Sequence, residues 1–310
     1  MAFPVAVAQV QVEPGEVDEN RLAMIHHAEW AISRGAQLVV FPEACISDIF
    51  RGAQAFAETI PGPTTEIAAS IAQDSALAIP LLERSPDGKI YSSCALVTRE
   101  GVQGIARKCH LFHDANGHDL FRDDDVVAPA GELTIFDLGD IRVGVLLGFD
   151  AEFPEAFRTH ALRGADLIIA PLNCIEPDLP FLTAMASHNR IPLAIANRIG
   201  FRKIYPGMPE LSAVSLPILQ DKERNFVARC KGGSVILDER GRIMAQPQGQ
   251  TPGEDASRIA LEAPVGAVVQ PSHFQHEEVL SASFRIEELR VQRITSPFFS
   301  QRRKALYSDD

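Results

Sequence analysis

The chain has 310 residues, a formal net charge of −12 and a hydrophobic content of 46%. That hydrophobic content is sufficient for a large buried core, while so acidic a surface repels phosphate backbones and anionic lipids. We therefore expect neither nucleic acid nor a membrane as a partner. No segment approaches the roughly 18 apolar residues of a membrane span, and the amino terminus lacks the features of a secretory signal. Five scattered cysteines without CxxC spacing predict free thiols and a cytoplasmic protein.

The first predicted elements form a strand, a helix and a second strand. Residues 4–11 alternate as a strand does, and residues 16–35 carry apolar side chains at helical spacing. Gly35 is suited to the C-cap of that helix, and residues 37–42 form a short apolar run typical of a buried strand. The order of these elements is that of an α/β protein.

The same layout occurs a second time. A helix is predicted over residues 153–163, Gly164 follows it, and residues 166–171 read as a buried strand. The segment RGAQLVVFPEA of the first copy corresponds to RGADLIIAPLN of the second. Two such units predict a layered α/β protein with helices packed on a sheet, although chance similarity of two helix–strand corners is the alternative. Further strands are predicted over residues 76–82, 90–98, 102–107, 133–138 and 141–147.

The later part of the chain is less regular. Residues 201–229 show no clear period, which predicts an irregular surface insertion or lid around residues 201–230. Strand-like patterns return over residues 233–237 and 243–246. No linker divides the sequence, so we predict one domain over residues 1–310.

Two charged residues follow predicted strands directly. Glu43 comes after a buried strand and a proline, at the kind of strand end where α/β proteins place their sites. Lys108 follows the strand over residues 102–107 and could hold a cation against developing negative charge. Taken singly, each fits an ordinary solvated strand-end residue better.

A third position has the sequence of a nucleophile elbow. The buried strand over residues 141–147 runs into Gly148, and a helix is predicted to begin near Pro154, since proline suits a first helical turn. The side chain at the apex of such a turn projects into a cleft. Glycine tolerates the backbone of this turn but supplies no side chain, so a glycine that only makes a turn is the simpler interpretation.

Taken together, these motifs resemble the nitrilase superfamily of carbon–nitrogen hydrolases. The matching segments appear in the family's order over nearly the whole chain: VAVAQ, VVFPEA, RKCHLF, VGVLLGFDAEFPE, GADLIIAP, ANRIG, GGSVILDERG and RRKALY. The resemblance implies an α/β fold of the nitrilase type, a four-layer αββα sandwich. It also implies a homodimer formed through the helices after the elbow, a small-molecule amide or related substrate, and neither a metal nor another cofactor.

The resemblance further implies a mechanism of covalent catalysis. A cysteine at position 148 would attack an amide, carbamoyl or nitrile carbon, with Glu43 as general base and Lys108 stabilising the oxyanion, before water releases the acid from a thioester. Many members carry another glutamate seven positions before a glycine, which counted from Gly131 is Asp124. The residues expected to line the substrate pocket are Phe149, Glu152, Asn173 and Cys174.

The sequence departs from the family in three places. Asp124 keeps the charge of the family's glutamate on a shorter side chain, and His188 replaces the glutamate of a helix, which predicts altered packing or an altered dimer contact. Gly148 removes the nucleophile. Either the cysteine was replaced deliberately, to trap a ligand, or the loss is natural. A natural loss implies a noncatalytic binding or assembly protein, or an enzyme using Glu43 and Lys108 for acid–base chemistry without a thioester.

Three further features of the sequence bear on the site: a possible substitute thiol, the charge expected of the substrate, and a possible metal site. Cys174 could replace the missing thiol, but a small apolar pocket wall is the better reading of that side chain. The absence of arginine at Ala151 and Glu152 disfavours an anionic carbamoyl substrate and favours an uncharged or cationic amide. A set of histidines and aspartates invites a metal interpretation, but its spacing fits no common ligand pattern and favours a solvated loop. That set consists of His110, His113, His118, Asp114, Asp119 and residues 123–125.

Overall fold

A computed structural model describes residues 2–113, 122–203, 218–220, 226–247 and 277–307. The strands are β1 (Ala2–Gln9), β2 (Leu38–Val40), β3 (Ala76–Arg84), β4 (Ile90–Thr98), β5 (Gly101–Arg107), β6 (Ile135–Asp137), β7 (Arg142–Val145), β8 (Leu167–Pro171), β9 (Leu193–Ala196), β10 (Ile199–Lys203), β11 (Ile218–Gln220), β12 (Phe226–Lys231), β13 (Val235–Leu237), β14 (Ile243–Ala245) and β15 (Glu278–Arg285). The α-helices are α1 (Val17–Ser33), α2 (Pro63–Ile71), α3 (Pro154–Leu162), α4 (Leu179–Asn189), α5 (Ile286–Thr295) and α6 (Pro297–Ser300). Short 3₁₀ turns cover Ala53–Phe56, Gly148–Glu152 and Lys304–Leu306.

Two six-stranded sheets share one arrangement. The first has the order β15-β1-β2-β3-β4-β5 and the second the order β6-β7-β8-β9-β13-β14. In each sheet the second, third and fourth strands are parallel, and the remaining pairings are antiparallel. The repeated strand–helix–strand unit that the sequence predicts is therefore confirmed, because each copy supplies the parallel centre of one sheet.

The two copies also end their helices in the same way. Gly35 after α1 and Gly164 after α3 both have φ of +84°, and the amide of each donates to a carbonyl of its helix's last turn. This left-handed conformation is favourable only for glycine, and it turns the chain from the helix into the next buried strand. The cap residues themselves are Arg34 and Arg163, so each glycine lies one position later than a C-cap, where it ends the helix.

Three hydrophobic clusters divide the molecule into four layers. One lies between the sheets, where Val5 and Val40 of the first sheet meet Val143 and Ile169 of the second. A second cluster joins the outer face of the first sheet to α1 and α2, and a third joins the outer face of the second sheet to α3 and α4. Successive strand residues serve opposite layers because side chains alternate across a sheet. The fold is the αββα sandwich of the nitrilase type.

The segment after β9 differs from the irregular insertion expected there. Its described parts form a third, antiparallel sheet of order β10-β12-β11. Strands of three to six residues are too short to give a period over the whole stretch, which is why the sequence pattern did not reveal them. Residues 204–217 and 221–225 of the expected lid lie outside the described residues.

The carboxyl ends of the parallel strands point to one edge of the sandwich. At this edge the amide of Glu43, just past β2, donates to the carbonyl of Leu172, just past β8, over 3.1 Å. The two sheets are thus joined where α/β proteins place their sites. Among the described residues, no helix combines the length and the apolar character needed to cross a membrane.

Candidate active site

The structure brings together the three positions at which the sequence places the chemistry. The Nζ atom of Lys108 lies 3.0 Å from Oε1 of Glu43, and both side chains are buried. A Cβ atom built on Gly148 would lie 2.1 Å from Oε2 of Glu43 and 2.7 Å from Nζ of Lys108. Ends of three strands that are distant in sequence, β2, β5 and β7, thus converge on one point.

Gly148 forms the apex of a tight turn. It has φ of +49°, the left-handed region that costs other residues about 1–2 kcal/mol. The 3₁₀ turn Gly148–Glu152 begins at this residue, and α3 begins at Pro154. The direction in which a side chain would project from the apex is filled by the carboxyl group of Glu43. The backbone therefore has the shape of a nucleophile elbow.

Glu43 is held as a buried hydrogen-bond acceptor. Its Oε1 atom accepts from the hydroxyl of Ser92 at 2.8 Å as well as from Lys108. Burial raises the pKa of the Glu43 carboxyl by more than the positive charge of Lys108 lowers it. A carboxyl group with a raised pKa takes up a proton more readily near neutral pH, which is the property of a general base.

Lys108 is a fixed cation. Besides Glu43 it donates to Oδ2 of Asp123 at 2.6 Å. Burial alone would lower the pKa of Lys108, but the charges of Asp123 and Glu43 outweigh burial and raise it. The ammonium group is therefore protonated near neutral pH. A buried cation beside the elbow apex can stabilise negative charge that develops on a carbonyl oxygen.

The carboxylate on Lys108 is Asp123 and not Asp124, the residue counted from Gly131. Asp124 points outward, where its carboxylate pairs with Arg122 at 2.8 Å. Asp123 is buried, and it accepts from the amide of Phe112 at 2.9 Å. Burial raises the pKa of the Asp123 carboxyl, but the positive charges of Lys108 and then Arg202 together lower it by more, so the pKa lies below its usual value. Adjacent residues in this turn face different ways, and a count along the chain does not show which one faces inward.

A chain of alternating buried charges extends from this site to the third sheet. Nη2 of Arg202, on β10, lies 3.9 Å from Oδ1 of Asp123, and its Nε lies 4.0 Å from Oδ1 of Asp48. Asp48 in turn pairs with Arg198 at 2.6 Å, and both side chains are fully buried. Arg202, Asp48 and Arg198 have no sequence signal that marks them, and Asp123 was expected only in a solvated loop, because charged residues normally indicate an exposed position.

The four expected pocket residues lie around the strand ends but differ in their contacts. Phe149 is half-buried, with its ring edge-on to those of Phe112 and Phe153 at 5.2 Å each. Glu152 lies at the surface, but protein atoms partly shield its carboxyl from water. This shielding and the nearby negative charge of Asp178 raise the pKa of the Glu152 carboxyl. Both residues belong to the 3₁₀ turn that begins at Gly148.

Asn173 and Cys174 follow β8. The side-chain amide of Asn173 donates to Asp48 at 2.8 Å, so this group belongs to the buried charge chain. The amide of Cys174 donates to Asn197, and burial raises the pKa of the Cys174 thiol. A thiol with a raised pKa is a poor nucleophile, which is consistent with a pocket wall.

Part of the histidine–aspartate set can be placed. His110 contacts Asp150 at 2.8 Å, and His113 lies 3.8 Å from Asp124. Asp114, His118 and Asp119 lie outside the described residues. Across the part of the chain that the structure describes, no three histidine, cysteine, aspartate or glutamate side chains are grouped so as to hold a metal ion.

Comparison with known proteins identifies relatives of this chain. The sequence profile of the family described as "Carbon-nitrogen hydrolase" matches residues 4–257. A nitrilase of Pyrococcus abyssi is 35% identical over 210 residues, which cover 63% of this chain and 76% of that protein. An ω-amidase of Bos taurus is 30% identical over 176 residues, covering 54% of this chain and 63% of that protein.

Solved structures share the fold at lower sequence identity. An amidase from Nesterenkonia sp. superposes with a TM-score of 0.65 at 18% identity, covering 94% of this chain and 97% of the other. That structure shows the product of Michael addition of acrylamide at the amidase's active-site cysteine. A likeness at this level of identity supports the fold of the present chain and leaves its chemistry to be argued from its own residues.

Proposed function

Because the chain belongs to the carbon–nitrogen hydrolase family, we propose that its site is that of an amidase-type hydrolase acting on a small amide. In this proposal position 148 is the place of the cysteine nucleophile. The observation that carries the proposal is that a Cβ atom built on Gly148 would point at both the carboxyl group of Glu43 and the ammonium group of Lys108. A general base and an oxyanion-stabilising cation that meet at one position support the assignment of a reacting side chain to that position.

With a cysteine at position 148, the mechanism follows from these neighbours. Glu43 accepts the thiol proton while the sulfur attacks the amide carbon, and Lys108 stabilises the resulting oxyanion. Glu43 then gives the proton to the departing ammonia, which leaves a thioester. Water attacks the thioester as Glu43 accepts its proton, and the carboxylic acid departs with the thiol restored. Asp123 keeps Lys108 in place throughout.

With glycine at position 148 no thioester forms, so we expect this route to be abolished in the chain as it stands. The carboxyl group of Glu43 now fills the space of the absent side chain. It is the far end of a flexible side chain, so a restored cysteine displaces it by local rotation. Both origins of the glycine, a deliberate substitution and a natural loss, agree with this geometry.

The proposal is tested by ammonia release from a panel of small amides and nitriles. The glycine protein is compared with Gly148→Cys, and Gly148→Cys combined with Glu43→Gln serves as the control that keeps the thiol but removes the base. We expect turnover only in Gly148→Cys. Silence from a folded Gly148→Cys protein over a broad panel would contradict the proposal. Turnover by the glycine protein itself would favour acid–base chemistry by Glu43 and Lys108 without a thioester.

A noncatalytic binding protein is the second candidate. It is favoured by the absence of a nucleophilic side chain at Gly148 while the buried polar groups of Glu43 and Lys108 remain beside it. Calorimetric titration of the glycine protein with the same amides and their acids tests it. Binding that is equally tight in the Gly148→Cys protein, without turnover in either, would support this function over the first.

The substrate of the proposed amidase is an uncharged or cationic amide. Ala151 is buried and Glu152 presents an exposed carboxylate beside the elbow, so the near edge of the site carries negative charge. Turnover of matched cationic and anionic amides by Gly148→Cys tests this preference. Adding Glu152→Gln should weaken the preference for the cation, whereas Glu155→Gln, on the first turn of α3, should not. An unchanged ratio in the Glu152 variant would contradict it.

We also propose a homodimer in the cytoplasm. The helix α3 after the elbow exposes Leu162, which is 46% accessible in the single chain, and an exposed apolar side chain on this face is suited to a partner copy. The five cysteines are all free, as in a reducing compartment. Light scattering should give twice the chain mass, and Leu162→Glu should shift it toward the monomer. A monomer before substitution would overturn the assembly.

A further inference from the structure

The buried carboxylate of Asp150 joins the elbow to the strand end that carries Lys108. Its oxygens accept from the amide of Cys109 at 3.1 Å and from the amide of His110 at 2.7 Å, and these two residues follow Lys108 directly. On the other side they face the amide of Leu147 at 3.4 Å, and Leu147 directly precedes Gly148. The side chain of Asp150 therefore bridges the segment that follows Lys108 and the segment that precedes Gly148.

Asp150 is built into this place firmly. It is 2% exposed, and its Oδ1 atom also contacts Nδ1 of His110 at 2.8 Å. The ring of His110, which is partly exposed, stacks on Phe153 with centroids 3.9 Å apart. Oδ1 of Asp150 thus lies within hydrogen-bond distance of two amides and one ring nitrogen, while Oδ2 lies 3.2 Å from the amide of Cys109 and 3.4 Å from that of Leu147.

The position of Lys108 depends on this arrangement. The side chain of Lys108 is held at its tip by Glu43 and Asp123, and its own amide and carbonyl bond to the backbones of Ser92 and Ala130. Directly after Lys108, which follows the end of β5, the amides of Cys109 and His110 are held by the side chain of Asp150. The two amides bound by Asp150 fix the course of that backbone relative to the elbow. Errors of about 1 Å in the placement of a stabilising charge have large effects on rate.

We infer that Asp150 is a positioning residue, which holds the ammonium group of Lys108 over the nucleophile position at 148. This inference rests on the proposed function, because it assigns the role for a thiol at that position. Asp150 touches neither the apex side chain nor the reacting atoms. It acts through the backbone on either side of the site.

The reactivity of a thiol at position 148 reports the position of Lys108 without any substrate. A nearby ammonium group favours the thiolate, which is the form that reacts with iodoacetamide. In the Gly148→Cys protein, alkylation at position 148 is followed against pH by peptide mass spectrometry, which separates it from the five native cysteines. Adding Asp150→Asn removes the negative charge and one acceptor with little change of shape. We expect the alkylation rate near neutral pH to fall about tenfold.

Asp166→Asn is the matched control. Asp166 is equally buried and likewise accepts a backbone amide, that of Arg142 at 3.0 Å, but its other partners are Arg290 and Arg293 far from the elbow. A general loss of stability would change the pH dependence of alkylation in both variants, whereas a positioning role changes it only in Asp150→Asn. Equal shifts in the two variants, or none in either, would overturn the inference.

A second measurement keeps the test independent of the cysteine and of folding yield in the double variant. In the glycine protein, the ¹⁵N resonance of the buried Lys108 ammonium is assigned by its loss in Lys108→Arg. We expect Asp150→Asn to shift or broaden it and Asp166→Asn to leave it unchanged. If the thiol and the ammonium signal both depend on Asp150 but no amide is turned over, the positioning stands and the amidase proposal fails.

Discussion

The amide nitrogen of Glu43 donates to the carbonyl oxygen of Leu172 over 3.1 Å, and these two residues occupy equivalent places in the two copies of the repeated unit. Each lies nine positions after the arginine that begins its RGA segment, Arg34 in the first copy and Arg163 in the second. The copies therefore meet at the same backbone position but carry different side chains there. The first supplies the carboxylate of the candidate site, and the second supplies the scaffold that fixes it.

Replacing Gly148 by alanine measures how firmly Glu43 occupies the apex. The new Cβ atom would lie 2.1 Å from Oε2 of Glu43, at a backbone φ of +49°. We expect a loss of about 1–3 kcal/mol in the free energy of unfolding, from backbone strain and from displaced hydrogen bonds. Gly35→Ala is the matched control, since Gly35 also has positive φ but nothing within 4 Å of its Cβ position.

The two contributions at Gly148 are separable by urea unfolding. In a Glu43→Ala background the nearest clash is removed and only the flexible end of Lys108, 2.7 Å from the Cβ position, remains, so Gly148→Ala should then cost less than it does in the original chain and approach the cost of Gly35→Ala. If both alanine variants cost the same in the original chain, Glu43 does not hold the apex space.

The alternating charges predict energetic coupling between Asp48 and Arg202. Their closest atoms are 4.0 Å apart in a buried setting, and water screens the pair poorly. We expect the double variant Asp48→Asn/Arg202→Gln to be more stable than the sum of the single effects predicts, by about 1 kcal/mol or more. The exposed pair of Arg163 and Glu132, at 3.1 Å, should show no measurable coupling in the same cycle. Additive effects at the buried pair would contradict the electrostatic account.

The sequence could predict that Glu43, Lys108 and Gly148 each follow a strand. Their meeting at one site was implied by the resemblance to the nitrilase superfamily and not by the strand patterns alone, which fit ordinary strand-end residues. Asp123 was misplaced by one position because it sits in a turn among three consecutive acidic residues, where no period indicates which faces inward. Arg202 could not be found, because its role depends on Asp48 and Asp123, which are distant in the chain and become its neighbours only after folding.

Burial of His160 predicts a pH dependence of stability that is independent of the proposed chemistry. His160 lies on α3 with no exposed surface, its Nε2 atom is 3.1 Å from the carbonyl oxygen of Val145, and its ring packs against Gly144 of β7. Burial, which disfavours the charged form, lowers its pKa from 6.5 to about 4, and nearby Arg163 acts in the same direction. The ring is therefore neutral in the folded protein at neutral pH.

The unfolded chain binds a proton at this histidine more readily than the folded chain does, between about pH 6.5 and pH 4. The contribution to stability is fully present above the upper value and is lost as the pH falls toward the lower one. Relative to His160→Gln, which cannot titrate, the original protein should lose about 2 kcal/mol of unfolding free energy between about pH 7 and pH 5. Urea unfolding at the two pH values measures the difference, with His26→Gln, at an exposed position on α1, as the control. Parallel curves for the original protein and His160→Gln would mean that the ring is not held neutral beneath the elbow strand.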